Sequence, residues 1–455
     1  MRFNGCACYK RTMALLPVLV LVLAAAPLQV QAGAALGGDG SSPRPFARIA
    51  DALHAAPAGA TITIGAGLYE EQLELTQPVS LHGVEGAVLA APPGAPVALR
   101  IGAAVTLEQL TIQGGRLGIE VAAGSARLSH LHLRGQASAA LAVGAGAHAQ
   151  GSDIEVQCSV ASAVGLRVEG TAELIRLTLT GPFRRAVEVV GGRLRASALT
   201  LSDAVTGLHL SHGHAELHGL EVRDVRGSAL FADGSAVTVQ DAVVRGGELD
   251  FEVRGGTVLT LTGAVLAGAS QGAIAGVQSS LRVRDTVCIG PYSHAAIEVV
   301  GGDASLEDVR LSRPGEQGVL GRLAQLRYAR LTVDQARANP DDGGNALFVY
   351  DCQLQGVELL ARGCEGPAVE SQLGHGRIVS TVVERAGLAG VALEHGAALE
   401  ILGLEVSGGR GAGLACIESS QARLRVPRLQ VGTPFLVDTT CRVDCSPKTL
   451  CAGAP

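Results

Sequence analysis

Tryptophan is absent from this 455-residue chain, and aromatic residues make up only 3% of it. Sugar clefts commonly use aromatic faces as platforms, so the composition argues against a broad aromatic cleft without removing a glycan ligand. Neither charge dominates. Thirty-six Lys and Arg stand against 42 Asp and Glu, interspersed, for a net charge of -6. Nothing there suits nucleic acid or an anionic membrane. Long apolar runs are missing too, although 47% of the residues are hydrophobic. Beyond the N-terminus, glycine and polar positions interrupt every apolar stretch, as they do in strands that face a core. After residue 32 the only asparagines are Asn339 and Asn345.

What the chain has is a repeat. Ala186-Val-Glu-Val-Val-Gly-Gly192 returns as Ala296-Ile-Glu-Val-Val-Gly-Gly302. Weaker copies fill the gap, each a small residue before an apolar-x-apolar triplet. The markers are Gly118, Ala140, Gly165, Ala186, Gly207, Ala229, Asp250, Ala273, Ala296, Gly318, Ala346, Ala368, Gly390 and Gly413, spaced 21 to 28 residues apart. Such a period means a solenoid, whose units bury their apolar sides only by stacking. Within a unit, Leu217-His-Gly-Leu-Glu-Val222 is apolar at its first, fourth and sixth places, and Ala229-Leu-Phe-Ala-Asp-Gly234 alternates before a glycine. Alternation, valine, leucine and glycine at the bends read as short strands joined by tight turns. Three strands per coil predict an all-β fold, a single-stranded right-handed parallel β-helix; fourteen coils would make a rod roughly 65 Å long. A leucine-rich-repeat horseshoe fits Leu128-x-x-Leu131-x-Leu133, but its Asn or Cys and helical arm are missing.

In chain order, residues 1–32 read as an export signal. Arg2, Lys10 and Arg11 precede the apolar run Leu15 to Ala26, and Val30-Gln-Ala32 suits cleavage. Residues 33–45 read as a linker, and residues 46–431 as one β-helical domain. Phe46, Ile49, Ala50 and Leu53 have helical spacing, so a short helix is expected to cap the N-terminal end of the stack. Unit spacing lengthens around Gln157-Cys-Ser159 and again at Asp334 to Gly344, the second carrying Asp341 and Asp342 at its tip. Insertions in solenoids become loops on one face, here either a binding face or a tolerated surface change. Residues 432–455 read as a cysteine-containing cap. Cys441, Cys445 and Cys451 suggest disulfides in an exported chain, with Cys352 and Cys364 as a local pair.

Asp39-Gly-Ser-Ser, Phe46-x-x-Ile49-x-x-Ala52-Leu-x-x-Ala-Ala-Pro57, Gly67-Leu-Tyr69-x-Glu71 and Val79-x-Leu81-x-Gly83 resemble the opening segment of the pectin-lyase-like superfamily. That resemblance implies architecture, because enzymes and non-enzymes of the superfamily open alike. The pectinesterase Gly-x-Val-Asp-Phe-type and Gly-Arg-Pro-Trp segments are absent. Gly374-His-Gly-Arg-Ile378 is similar to a polygalacturonase segment, but the Asn-Thr-Asp that should accompany it is missing.

Chemistry in a stack is sought down its columns. The outward residue of the marked triplet reads Glu120, Ala142, Arg167, Glu188, His209, Phe231, Glu252, Ala275, Glu298, Leu320, Phe348, Glu370, Ala392, Ala415. No two glutamates neighbour, so this column reads as a solvated face without the paired carboxylates of glycosidic hydrolysis. Asp203 and Asp224 are expected one coil apart, with Arg223 stacked toward Arg245. Paired carboxylates beside arginine could hold calcium and an acidic sugar, as in a lyase. His209, His212, His214 and His218 run close by and could hold a soft divalent ion. The bland alternative is a surface Asp–Arg network with turn histidines.

The expectation is an exported binding or structural module, periplasmic, secreted or surface-bound, with polysaccharide or a cell-surface glycan as its partner and no cofactor. Two alternatives stay open. One is an enzyme acting on acidic glycans, using calcium if it is a lyase; the other is metal handling, since periplasmic β-helix proteins that assist copper-site maturation resemble this architecture.

Overall fold

The computed structural model describes residues 26–338, 343–425 and 427–450. Residues 1–25 of the expected export signal, Asp341 and Asp342, and Cys451 lie outside these. The described chain is a parallel β-solenoid of about 17 turns. At the usual strand separation it is a rod of about 80 Å. Each turn has a short strand, such as Leu117–Val121, and a long one, such as Ser125–Arg134. Between Leu117 and Arg223 short strands pair with short strands of the next turn, and long with long, all in parallel; further on the two run together in places, as in Gly272–Ile289.

The 1-4-6 spacing in the sequence marks a corner. In Ser125–Arg134, Leu128 and Leu131 both point into the core, and between them His130 has a left-handed φ of 53°. Asp153, Arg176, Ala198, Gly219 and Asp241 stand at the same corner in the turns that follow. This residue bends the long strand into two legs, so each turn contributes to three sheets. Leu, Val and Ile from every leg form one continuous core along the rod.

At the N-terminal end the motif residues act structurally. Ile49–Ala55 is a helix, and the Glu71 carboxylate accepts the N–H groups of Ile49 (2.8 Å) and Ala50 (2.9 Å). Those are orphan donors of a first helical turn, satisfied by a carboxylate 22 residues further along the chain. The Tyr69 hydroxyl accepts the N–H of Ala32 (3.0 Å) and donates to the carbonyl of Gly65 (2.9 Å). The helix packs against Ala60–Ile64 and against a strand that sequence reading did not anticipate, Leu28–Val30. That strand pairs in register with Ala60–Ile64, and Val30 is buried. Residues 28–32 are thus built into the first turn. The stretch 33–45 is tied down as well, because the Asp39 carboxylate accepts the Ser41 N–H and hydroxyl and pairs with Arg44.

Candidate functional site

Asp203 and Asp224 stand at the same place in consecutive turns. The Asp203 N–H donates to the carbonyl of Arg223 (3.4 Å), and the Asp224 N–H to that of Arg245 (3.3 Å). Their φ values are 61° and 53°, and Gly246 and Gly268 fill the corresponding corner at 83° and 81°. Aspartate tolerates this left-handed geometry better than most side chains, so a backbone requirement accounts for both. Arg223 and Arg245 are register partners, and Arg223 turns to Glu221. All four side chains lie on an open, exposed edge.

The four histidines do not converge. His209 is on the short strand Thr206–Ser211, and His212 lies in the tight turn after it. His214 binds Glu216 at 2.9 Å. His218 opens onto a hollow of about 500 Å³ lined by Gln150, Glu173, Ile175, Arg195 and Glu216. Down that hollow, Gln150 bonds Glu173, and Arg195 pairs with both Glu173 and Glu216. It is an ion-pair ladder whose polar groups are already matched. Among the described residues no group of three or more His, Cys, Asp or Glu is placed to hold a metal ion, so the histidine site expected from sequence does not form.

The expected Cys352–Cys364 bridge does not form either. Both thiols are unbridged, and they sit at opposite ends of the ten-residue strand Gln353–Arg362, well beyond the roughly 7 Å reach of a disulfide. Cys445 is disulfide-bonded. In the polygalacturonase-like segment, Gly376 serves close packing, because a Cβ there would meet the Leu354 carbonyl oxygen at 1.8 Å. His375 is exposed.

The marked outward column is continuous from Glu120 to Ala415, every neighbour pair in register. It is not uniformly solvated: Glu188 is only 4% exposed and Glu370 only 8%. Two stations stand out along it.

At the first, Glu188 accepts Arg167 Nε at 2.8 Å and is also bonded by Arg185. Burial pushes the Glu188 carboxyl up, but the hydrogen bonds from Arg185 and Arg167 outweigh it and hold it below the usual range. The next two residues of the column, His209 and Phe231, stack face to face with centroids 5.0 Å apart and planes 7° from parallel. The Arg254 guanidinium lies over the Phe231 ring at 5.5 Å and pairs with Glu252. Burial, then the nearby Arg185, lower the His209 pKa, which favours a neutral imidazole on a neutral ring. The station is a half-buried aromatic surface edged by arginines.

The second station begins five rungs on, about 24 Å along the rod. Phe348 lies in register with Glu370, and Tyr350 with Gln372. Glu370 accepts Asn345 Nδ2 at 2.7 Å and Gln372 Nε2 at 2.9 Å. The same Gln372 nitrogen reaches Glu394 at 3.3 Å, so the bonded oxygens of the two carboxylates lie within about 6 Å. Two carboxylates that do not neighbour within one column are thus brought together between two.

Sequence reading missed Arg185, Arg254, Gln372 and Glu394. The last three sit two positions after a column residue, on the same outward face of the same strand. Reading the neighbouring outward column would have found them.

No family model matches the chain, and no curated protein matches it. Solved structures do. The bacteriophage CBA120 tailspike protein 3 is similar at 12% identity and a TM-score of 0.29, over 83% of this chain and 57% of that one. This chain therefore spans little more than half of that tailspike. The receptor-binding domain of the siphovirus 9NA tailspike is similar at 8% identity and a TM-score of 0.30, over 87% and 74%. A pectin methylesterase solved with a hexasaccharide is similar at 15% identity and a TM-score of 0.23, over 60% and 81%. Likenesses this distant carry no argument about ligand or activity. On its own strand pairing the chain is a parallel β-solenoid, the architecture that the resemblance of its opening segment implies.

Proposed function

We propose that the protein is an exported module that binds an acidic polysaccharide lengthwise along the outward column. The observation that carries this reading is the His209–Phe231 stack with Arg254 over it and Arg185 and Arg167 beside it. Aromatic faces receive the apolar face of a sugar ring, and a guanidinium gives a fork for carboxylate. A second aromatic pair, Phe348 and Tyr350, follows along the same face. Charges buried beneath the face are already paired, so a ligand meets a preorganised surface. The test is calorimetry with polygalacturonate and alginate fragments, with and without calcium. Phe231→Ala and Arg254→Ala are each expected to weaken binding by about tenfold or more, the range of a buried aromatic or arginine anchor. Unchanged affinity in both variants would remove the reading.

One arrangement favours an enzyme instead. Glu370 and Glu394 share the Gln372 amide, which holds two carboxylates together as glycoside hydrolysis requires. Under this reading, release of reducing ends is lost in Glu394→Gln while binding persists. A chain that binds glycan and releases none is a binding module.

A further inference from the structure

We infer that Cys416 and Cys441 form a disulfide that locks the last turn of the solenoid onto the turn before it. Cys416 ends the short strand Ala412–Cys416, is buried, and is the register partner of Val437. The chain then makes a tight loop around one carboxylate. Asp438 accepts the N–H groups of Glu418 (2.6 Å), Thr440 (2.8 Å) and Cys441 (3.0 Å). The Thr440 hydroxyl accepts the Ser419 N–H at 2.7 Å. Residues 438–441 are thereby clamped onto residues 416–419, and the two Sγ atoms are brought to 2.7 Å. A disulfide needs little further approach, because the backbone that carries both sulfurs is already fixed.

Other partners are poorly placed. Cys445 is already in a disulfide, and Cys352 and Cys364 belong to turns nearer the N-terminus. Cys416 and Cys441 are linked by no other partner of that kind, and no metal-binding cluster of His, Cys, Asp or Glu occurs among the described residues. The site has a mechanical reason as well. A solenoid's terminal turn has a neighbour on one side only, so it is the turn most in need of a staple.

Oxidation requires a disulfide oxidant, for which oxidised glutathione serves as the probe. The half-exposed Cys441 thiolate attacks one glutathione sulfur, breaks the glutathione S–S bond and expels one glutathione thiolate. Cys416 then attacks Sγ of Cys441, forming the protein S–S bond and expelling the second. The two protein thiol protons end on the two glutathiones, and the two electrons reduce the oxidant.

The experiment is a non-reducing peptide map of the whole chain, reduced and then exposed to oxidised glutathione. The expected result is a peptide joining Cys416 to Cys441. Digestion of the segment after residue 427 is expected to slow by about tenfold or more on oxidation, and to recover its speed on reduction. Cys416→Ser should leave glutathione on Cys441 and abolish the protection. A map that joins Cys441 to any other cysteine, or finds Cys416 and Cys441 both alkylated after oxidation, overturns the inference. The wild-type map decides this even where Cys416→Ser fails to fold.

Discussion

Tyr328 points into the core between Leu306 and Gly356, and the glycine is what makes room for it. A Cβ on Gly356 would stand 2.0 Å from Cζ of the Tyr328 ring. Most other turns put a leucine, valine or isoleucine at this level, so Tyr328 and Gly356 share out between them the volume of two ordinary core residues. Gly356→Leu is expected to destabilise the fold by roughly 1–3 kcal/mol through overpacking. Tyr328→Leu should also cost stability, by leaving a void. The double variant should recover most of the loss, measured by guanidinium unfolding; independent, additive losses would refute the shared volume. Asp250 is the other anomaly of the core. It replaces the Gly or Ala of the repeat marker, has no exposed surface, and its two carboxylate oxygens find no hydrogen-bond partner. Burial pushes its pKa up to about 8, with the buried Cys288 and Tyr292 nearby. The folded chain therefore holds this proton more tightly than the unfolded chain does. No penalty exists below the ordinary carboxyl range near pH 4; it grows as pH rises and levels off above about 8. Stability should fall across that window in the parent protein, and Asp250→Ala should flatten the slope and raise stability at neutral pH. Denaturation curves at several pH values check both.

At the level of the strand and turn, much was legible. Apolar triplets at 21 to 28 residues located every short strand between Leu117 and Cys416 closely enough to fix their register, because only one alignment puts Leu, Ile and Val on the inside throughout. The double outward step in Leu217-His-Gly-Leu likewise marked the left-handed corner at Gly219. What stayed hidden depended on chain segments meeting from afar. Glu188 reads as a surface acid until Arg185 and Arg167 close over it. The strand Leu28–Val30 merges with the apolar run before it, and only its pairing with Ala60–Ile64 shows that it belongs to the fold. This has a consequence for processing. A mature chain beginning at Gly33 would lose that strand, and with it the Ala32 N–H bond to Tyr69. N-terminal sequencing of an exported chain is expected to place the cut upstream of Leu28; a start at Gly33 with full stability would refute it. The C-terminal element is as demanding. A bridge between Cys416 and Cys441 is expected to contribute about 3 kcal/mol, because it closes a loop of some two dozen residues in the unfolded chain. The difference in unfolding midpoint between the oxidised parent and the oxidised Cys416→Ser variant, both keeping the Cys445 disulfide, measures it.

A rod built of turns that touch only their neighbours converts sequence length into distance. Removing one whole turn shortens the rod by about 4.8 Å without disturbing pairing elsewhere. The two aromatic stations, at Phe231 and Phe348, are separated by turns that carry Glu252, Ala275, Glu298 and Leu320 in the outward column. Deleting residues 298–319 joins Ile297 to Leu320, with Ile297 in the place of its register partner Val319. Ala275 then meets Leu320 in the column. Arg330 loses Glu307 and Asp308, an exposed pairing of small worth. The shortened chain should fold, with strand content per residue and melting behaviour close to the parent. Its ligand binding separates two pictures of the column. A glycan held at both stations gains affinity from the second contact only when the spacing suits it. Fragments long enough to span both stations should therefore lose affinity for the shortened chain, while short fragments held at Phe231 alone should bind as before. Equal affinity for long fragments in the two chains would mean that the stations act separately, and that the column is not one continuous binding track.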